Sequence, residues 1–404
     1  MHLFINGLAA SAGGGITYLR NVLGHLAKRP EVRATVLARN ELRPEIEGAP
    51  NLLFLDAPQR LSVFERALYE QRGLRALVRR SGAQVLLSAG NIALRNSPVP
   101  QILLSRNALY ISAAFYRDLR QRGEYRLLVD TWIKGQLAKK SIAWADRTVA
   151  PSHAFAGELS AWSGRNVLAI YHGFDAESFA NETCHLPEFV KQKLEQARDA
   201  IRLLCVSHYN YYRNLDTTFR AIAHLSRHVK NRKIALLLTC TLDGRKDGDY
   251  STVGARAIVR ELGISDRVIE LGPVPYQSLY ELYHACNVYV SAAYAETFAH
   301  PLVEAMASGL PVIASDLKVH REICGDAAMY FSTWSSEELS QRISEVIESR
   351  ELAARLAAEG RTRAQTFSWQ LHVQELLTLA QELIDPHKQG SSNSSDSAAL
   401  RQHL

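Results

Sequence analysis

The chain has 404 residues, of which 47% are apolar and 22% charged, and a net charge of +6. Its length exceeds what one hydrophobic core usually supports, so two domains are expected. Five scattered cysteines (Cys184, Cys205, Cys240, Cys286, Cys324) show no paired metal spacing, argue against a disulfide framework and speak for a reducing compartment.

His2–Asn6 reads as a first strand feeding a glycine loop, Ser11-Ala-Gly-Gly-Gly-Ile16, with a helix expected from about Thr17. Met1 to Ala12 ends in Ala-Ser-Ala like a leader, but it lacks a basic start and Asn6-Gly7 interrupts the run, so a cytoplasmic protein is expected. Further strands are expected at Ala34–Ala38, Leu52–Leu55, Val85–Ser88, Gln101–Ser105, Arg147–Ala150 and Val167–Ile170. Their alternation with helical patterns is the mark of parallel α/β architecture. Within this half, residues 115–144 interleave Arg117, Arg120, Arg122, Arg126, Lys134, Lys139 and Lys140 with Phe115, Tyr116, Tyr125, Trp132 and Trp144. Such a stretch is either a surface that rests on an anionic membrane or an ordinary amphipathic helix pair packed on the first domain. Residues 1–180 carry 23 Lys and Arg against 14 Asp and Glu, while the remainder carries 24 against 27. The basic half suits an anionic partner or is simply arginine-rich surface; no nucleic-acid motif accompanies it.

Residues 177–200 are polar, with a helical stretch from Pro187, and read as the linker between domains. The strand pattern restarts at Ile201–Val206, Ile234–Cys240, Val268–Leu271, Val288–Ser291, Val312–Ser315 and Ala328–Phe331. Trp369 to Ile384 has apolar residues at helical spacing. The expected organisation is a first domain over 1–176, a second over 201–368, a helix over 369–385 and a polar, disordered tail over 386–404. Two nucleotide-type domains in tandem leave a cleft at the carboxyl ends of their strands. No run approaches the roughly 20 apolar residues that cross a bilayer.

The most informative segment is Tyr294 to Asp316, YAETFAHPLVEAMASGLPVIASD. A strand leads into a loop holding Glu296, Pro301 opens a helix containing Glu304, and Gly309-Leu-Pro311 ends it. The start of that helix presents free N–H groups and a partial positive charge, suited to a diphosphate. Glu296 and Glu304 flank that position, and carboxylates accept hydroxyl donors. Acceptor, helix end, acceptor matches the hydroxyl, diphosphate, hydroxyl sequence of a sugar nucleotide. A second element, V206-S-H-Y-N-Y-Y-R-N-L215, follows the first strand of the second domain. Arg213 there offers a bidentate fork to a departing diphosphate, whereas a neutral His208 donates a hydrogen bond without charge. Arg106 and Asn107 leave a strand's carboxyl end and by position face the cleft and an acceptor.

The Glu-x7-Glu motif in this setting resembles that of the family-four retaining glycosyltransferases, whose fold is the two-domain GT-B type. The resemblance implies two Rossmann-like domains across a cleft, with the carboxyl-terminal helix packing back toward the first. It implies that Glu296 holds the donor sugar and Glu304 the ribose, and that Thr297, Phe298, Ala299 and His300 line the sugar and phosphates. Ser207, His208 and Arg213 stand where the family has its Gly-Arg and Lys-Asn elements, and Gly14 and Gly15 belong to the loop over the donor phosphates. Ala299-His300 departs from the family's usual Gly-Leu. A-P-S-H-A-F (Ala150–Phe155) and Y-H-G-F-D (Tyr171–Asp175) match two family landmarks, read here as markers of the fold. The implied reaction is metal-independent transfer of a hexose-type sugar, with retention, from a UDP- or GDP-linked donor. The implied acceptor is a saccharide or lipid-linked saccharide in cell-surface polysaccharide or glycoconjugate assembly. No cofactor is implied. Asp247-Gly-Asp249 reads as a solvated loop, and there is no His/Cys ligand cluster. An epimerase or a non-catalytic sugar-nucleotide binder on the same fold are the alternatives.

Overall fold

A computed structural model describes residues 1–10, 14–38, 48–56, 63–180, 185–228, 232–244, 246–247 and 249–385. The tail beyond Pro386 and positions 11–13 of the glycine loop lie outside the described residues.

The first domain is a parallel sheet of β1 (His2–Asn6), β2 (Arg33–Ala38), β3 (Leu52–Asp56), β4 (Val85–Ser88), β5 (Gln101–Leu104), β6 (Arg147–Ala150) and β7 (Leu168–Ala169), in the spatial order 3-2-1-4-5-6-7. The central strands are apolar along their length because helices cover both faces, so alternation is lost. Its helices are α1 (Gly14–Ala27), α2 (Val63–Ser81), α3 (Ala113–Gln121), α4 (Tyr125–Trp144) and α5 (His153–Ser163). Helix α1 starts at Gly14, three residues before the position expected from the sequence.

Two short helices, α6 (Ala176–Phe179) and α7 (Glu188–Glu195), occupy the stretch read as a linker. Phe179, Val190 and Leu194 are buried in the same hydrophobic cluster as the second sheet. That sheet is β8 (Ala200–Cys205), β9 (Lys233–Leu238), β12 (Val268–Glu270), β13 (Val288–Ser291), β14 (Val312–Ser315) and β15 (Ala328–Phe331), all parallel, in the order 12-9-8-13-14-15. A small antiparallel hairpin, β10 (Lys246–Asp247) with β11 (Tyr250–Ser251), stands apart. The sequence pattern gave no sign of it. Helices α8 (Leu215–His228), α9 (Val253–Glu261), α10 (Leu279–His284), α11 (His300–Ala307), α12 (Lys318–Cys324), α13 (Ser336–Glu348) and α14 (Arg350–Ala364) complete the domain.

In each sheet the order reverses direction beside the first strand, between β1 and β4 and between β8 and β13. At such switch points the loops splay apart and leave a crevice for ligands. The loops after β8 and β13 carry Ser207 to Arg213 and Glu296 to His300, so topology alone brings the two motifs together.

The chain then returns to the first domain. Helix α15 (Trp369–Ile384) buries Val373, Leu376, Leu377 and Ala380, at the three- and four-residue spacing of one helical face. They share a core with Leu19, Val22, Leu23 and Leu26 of α1. At the crossing, a Cβ on Gly173 would lie 2.0 Å from the Trp369 nitrogen. The Phe174 N–H donates to the Phe367 carbonyl at 3.3 Å. Outgoing and returning strands of chain are therefore in direct contact.

Candidate functional site

The loop after β8 ends in a 3-10 turn, Tyr211–Arg213, capped by Asn210, whose side chain accepts from the Arg213 N–H at 3.1 Å. Asn214 follows in the left-handed region (φ 54°) and donates to the Thr333 carbonyl at 3.0 Å. Asparagine tolerates that conformation better than most residues. These local bonds fix the turn from which Arg213 reaches Glu296 on the loop after β13, and the two form a part-buried ion pair. Burial acts against the charge on Arg213, but the Glu296 carboxylate outweighs it and holds the guanidinium above its ordinary value. Arg213 Nε is buried with no protein partner, an N–H for which a donor's phosphate oxygen would be an acceptor.

Thr297 is held from the first domain: Ser152, which caps α5 at Phe155, donates its hydroxyl to the Thr297 carbonyl at 2.8 Å. Phe298 is fully buried. Ala299 caps α11 at φ 64°, ψ 58° and, having no polar side chain, makes no capping hydrogen bond. The left-handed turn that glycine makes freely is kept here by alanine, at a cost of about 1–2 kcal/mol. Pro301 stands in the first helical turn. Glu304, one turn in, is buried and accepts from the Tyr283 hydroxyl at 2.9 Å. Burial pushes its carboxyl up to about 7, against the lowering effect of the Tyr283 bond and the Arg213 charge.

His300 does not carry a charge. Its ring lies in an interdomain aromatic stack, 5.3 Å from His172, which follows β7, and 6.1 Å from Trp369 of α15. His172 Nδ1 and His300 Nε2 are 3.2 Å apart. Burial, then the Arg106 charge and His372, hold His300 down to about 4. His372 completes the group: its Nδ1 faces the Tyr171 carbonyl at 2.7 Å and its Nε2 the Tyr18 hydroxyl at 3.0 Å. Both family landmarks at the end of the first domain thus touch the α11 loop, through Ser152 and His172. Their spacing in sequence carries no hint of those contacts.

The remaining candidates are placed less directly. The Ser207 N–H donates to Thr239 Oγ1 at 2.8 Å, and its hydroxyl turns to the His208 carbonyl; His208 itself is exposed. Gly14 meets open space, while a Cβ on Gly15 would lie 3.1 Å from Ala10 Cα and 3.6 Å from Arg106 Nη2. Arg106, expected to face an acceptor, ties loops together. It donates to the Gly14 carbonyl at 3.2 Å and the Ala89 carbonyl at 3.0 Å, and lies 4.7 Å over the Tyr18 ring. Asn107 caps the turn at Ala108–Tyr110 by accepting from Leu109 N–H. Both side chains have structural work that their position after a strand did not reveal. Among the described residues no group of three or more His, Cys, Asp or Glu could hold a metal ion. The side chain of Asp247 and all of Gly248 lie outside the described residues.

A further set of residues was not visible from the sequence. Arg122, at the end of α3, bonds Asp118 and Asp216, each at 2.8 Å, and stacks 4.4 Å over the Tyr211 ring. Asp118 also accepts from the Tyr294 hydroxyl at 2.7 Å, and Glu124 from the Tyr211 hydroxyl at 2.8 Å. Tyr294 and Tyr211 each stand two residues before a member of the Glu296–Arg213 pair. Helices of the first domain therefore grip the two loops of the second that carry the site.

Residues 188–363 match the family model for glycosyl transferases group 1. Most of the second domain is thus similar to that group. Over 207 residues the chain is 23% identical to a D-inositol 3-phosphate glycosyltransferase of Corynebacterium aurimucosum, covering 50% of this chain and 48% of that protein. The chain thus spans about half the length of such curated relatives. As a whole it superposes on sucrose-phosphate synthase of Thermosynechococcus elongatus with a TM-score of 0.73, at 19% identity, over 96% of this chain and 100% of that one. It superposes on Anabaena Alr3699/HepE, solved in complex with UDP-glucose, with a TM-score of 0.69 at 18% identity, over 95% and 100%. The stretch similar to that family therefore sits in a GT-B fold that extends over nearly the entire chain. No described helix is long and apolar enough to cross a membrane.

Proposed function

We propose that the chain is a retaining, metal-independent glycosyltransferase that moves a hexose-type sugar from a UDP- or GDP-linked donor to a saccharide or lipid-linked saccharide, acting in the cytoplasm at the inner face of the cell membrane. One observation carries the reading: Arg213 and Glu296 meet across the switch-point loops beside the start of α11, with Glu304 buried one turn inside. A donor diphosphate takes the N–H groups at the start of α11 and competes with Glu296 for Arg213. Glu296, so released, accepts hydroxyls of the sugar, and Glu304 accepts those of the ribose. When the bond from the anomeric carbon to the diphosphate breaks, the leaving oxygen keeps the electron pair, and Arg213 with the helix end neutralises it without a metal. The acceptor oxygen attacks the same face of the sugar and gives its proton to the departing phosphate oxygen.

Thermal denaturation of the protein with a panel of UDP-, GDP- and ADP-sugars tests the reading, because a ligand that binds only the folded state raises the melting temperature. One UDP- or GDP-sugar is expected to stand out, and its shift is expected to be larger at pH 8 than at pH 6. The sign follows from Glu304, whose carboxyl titrates near 7: the ionised form that accepts ribose hydroxyls dominates above that pH and is lost below it. His300 and His372, both held to about 4, stay neutral over this range. A melting curve indifferent to every nucleotide sugar at both pH values refutes the proposal. Turnover of the stabilising donor with a saccharide acceptor separates transfer from binding, and a change of sugar configuration without acceptor reveals an epimerase.

A further inference from the structure

Helix α4 is built partly inside out. Its buried positions are Thr131, Gly135, Ala138, Ser141 and Ile142, mostly small or polar. Gly135 lets it approach closely: a Cβ there would lie 3.4 Å from the Tyr110 backbone. Leu127, Leu128 and Trp144 pack against the core, but four other large apolar side chains face outward, with Tyr125 64%, Val129 51%, Trp132 54% and Ile133 56% exposed. Those positions follow a spacing of four, three and one, which is a single stripe along the helix. The hydrophobic effect places such side chains inside unless something outside covers them.

The charges beside the stripe say what covers it. Arg117, Arg120, Arg126, Lys139 and Lys140 are exposed on α3 and α4. Arg117, Arg120, Arg126 and Lys140 make no ion pair among the described residues, whereas Lys134 is bound to Asp130. An apolar stripe with a tryptophan and a tyrosine, bordered by unpaired cations, complements a bilayer whose interior is hydrocarbon and whose headgroups are anionic. A second protein copy would present the same cations to themselves. We infer that the exposed stripe of α4 is a docking surface for an anionic phospholipid membrane. Tyr125, its first residue, directly follows Glu124, which is hydrogen-bonded to Tyr211 on the Arg213 loop. The stripe therefore begins at the rim of the cleft, and a docked molecule presents that cleft to an acceptor anchored in lipid. This last point rests on the transferase reading; the docking itself does not.

The test is co-sedimentation of the full chain with phosphatidylcholine vesicles, with and without about one-third phosphatidylglycerol. Binding is expected to the anionic vesicles and to fall by at least tenfold between about 0.05 and 0.5 M salt. The pair Trp132→Ser and Ile133→Ser, and separately the pair Arg126→Glu and Lys140→Glu, are each expected to weaken it by tenfold or more. Neither pair should move the melting temperature or the nucleotide-sugar shift, since all four side chains are exposed. Equal binding to neutral vesicles, full binding by either double variant, or no binding at low salt overturns the proposal. So does a concentration-dependent dimer in analytical ultracentrifugation that Trp132→Ser dissolves, which would assign the stripe to a second copy. Absence of vesicle binding by the unaltered chain, with its nucleotide-sugar shift intact, would remove this inference alone. The reverse result would leave it standing without the transferase.

Discussion

The Arg213–Glu296 pair does two things at once, and the structure changes what its removal should do. Taken as two separate ligands, each could be replaced at the cost of activity alone. As a part-buried ion pair, deleting one member strands the other charge where little water reaches it, a loss of about 2 kcal/mol in stability. Arg213→Ala and Glu296→Ala are each expected to unfold earlier in denaturant by that amount and to lose about 100-fold or more in turnover. Arg213→Met combined with Glu296→Leu is expected to regain most of the stability while transfer stays lost. A double variant that transfers normally would show the pair to be structural only. The motif pointed to these residues through charge and position, but a carboxylate and a guanidinium 83 residues apart carry no sign that they touch. Arg106 shows the converse. Its place after a strand suggested a ligand contact and gave no sign of its bonds to Gly14 and Ala89, which brace two loops.

At the scale of elements, strand cores were readable because a parallel sheet covered on both faces demands unbroken apolar runs. Val85–Ser88 and Val288–Ser291 fall where that pattern put them. The β10–β11 hairpin was not readable, since two residues per strand are too few for any period. The early start of α1 was missed because glycine is a poor helix former, and only the surrounding loops hold Gly14 and Gly15 in helical geometry. Gly173 is the position where two elements come closest. A methyl group there would overlap the backbone of Trp369, so Gly173→Ala is expected to destabilise by about 3 kcal/mol. Hydrogen exchange should show the loss first in α15, through the amides of Val373 to Ala380. Unchanged protection in that helix would mean the crossing is looser than the geometry implies.

At the scale of the whole molecule, the grip of α3 and α4 on the loops of the second domain is what joins the halves on the cleft side. Arg122 sits at its centre, its charge opposed by burial but held above its ordinary value by Asp216 and Asp118. Arg122→Ala removes the bonds to both aspartates and the contact with Tyr211. The nucleotide-sugar affinity read from the thermal shift is expected to fall about tenfold, which is about 1.4 kcal/mol. Arg122→Lys, which keeps the charge but not the two-pronged geometry, is expected to recover only part of it. Undiminished affinity in Arg122→Ala would show that the loops need no support from the first domain. The sequence by itself determined the two α/β units, the α15 helix and the chemistry on offer at the start of α11, because periodicity, turn residues and helix ends are local properties of the chain. Only the tertiary structure decided that Arg213 meets Glu296, that burial lifts Glu304 to about 7, that His300 is stacked and neutral, and that α4 turns an apolar stripe outward. Each of those depends on which distant surfaces are brought together and on how much water they exclude, and neither quantity is written in the order of residues.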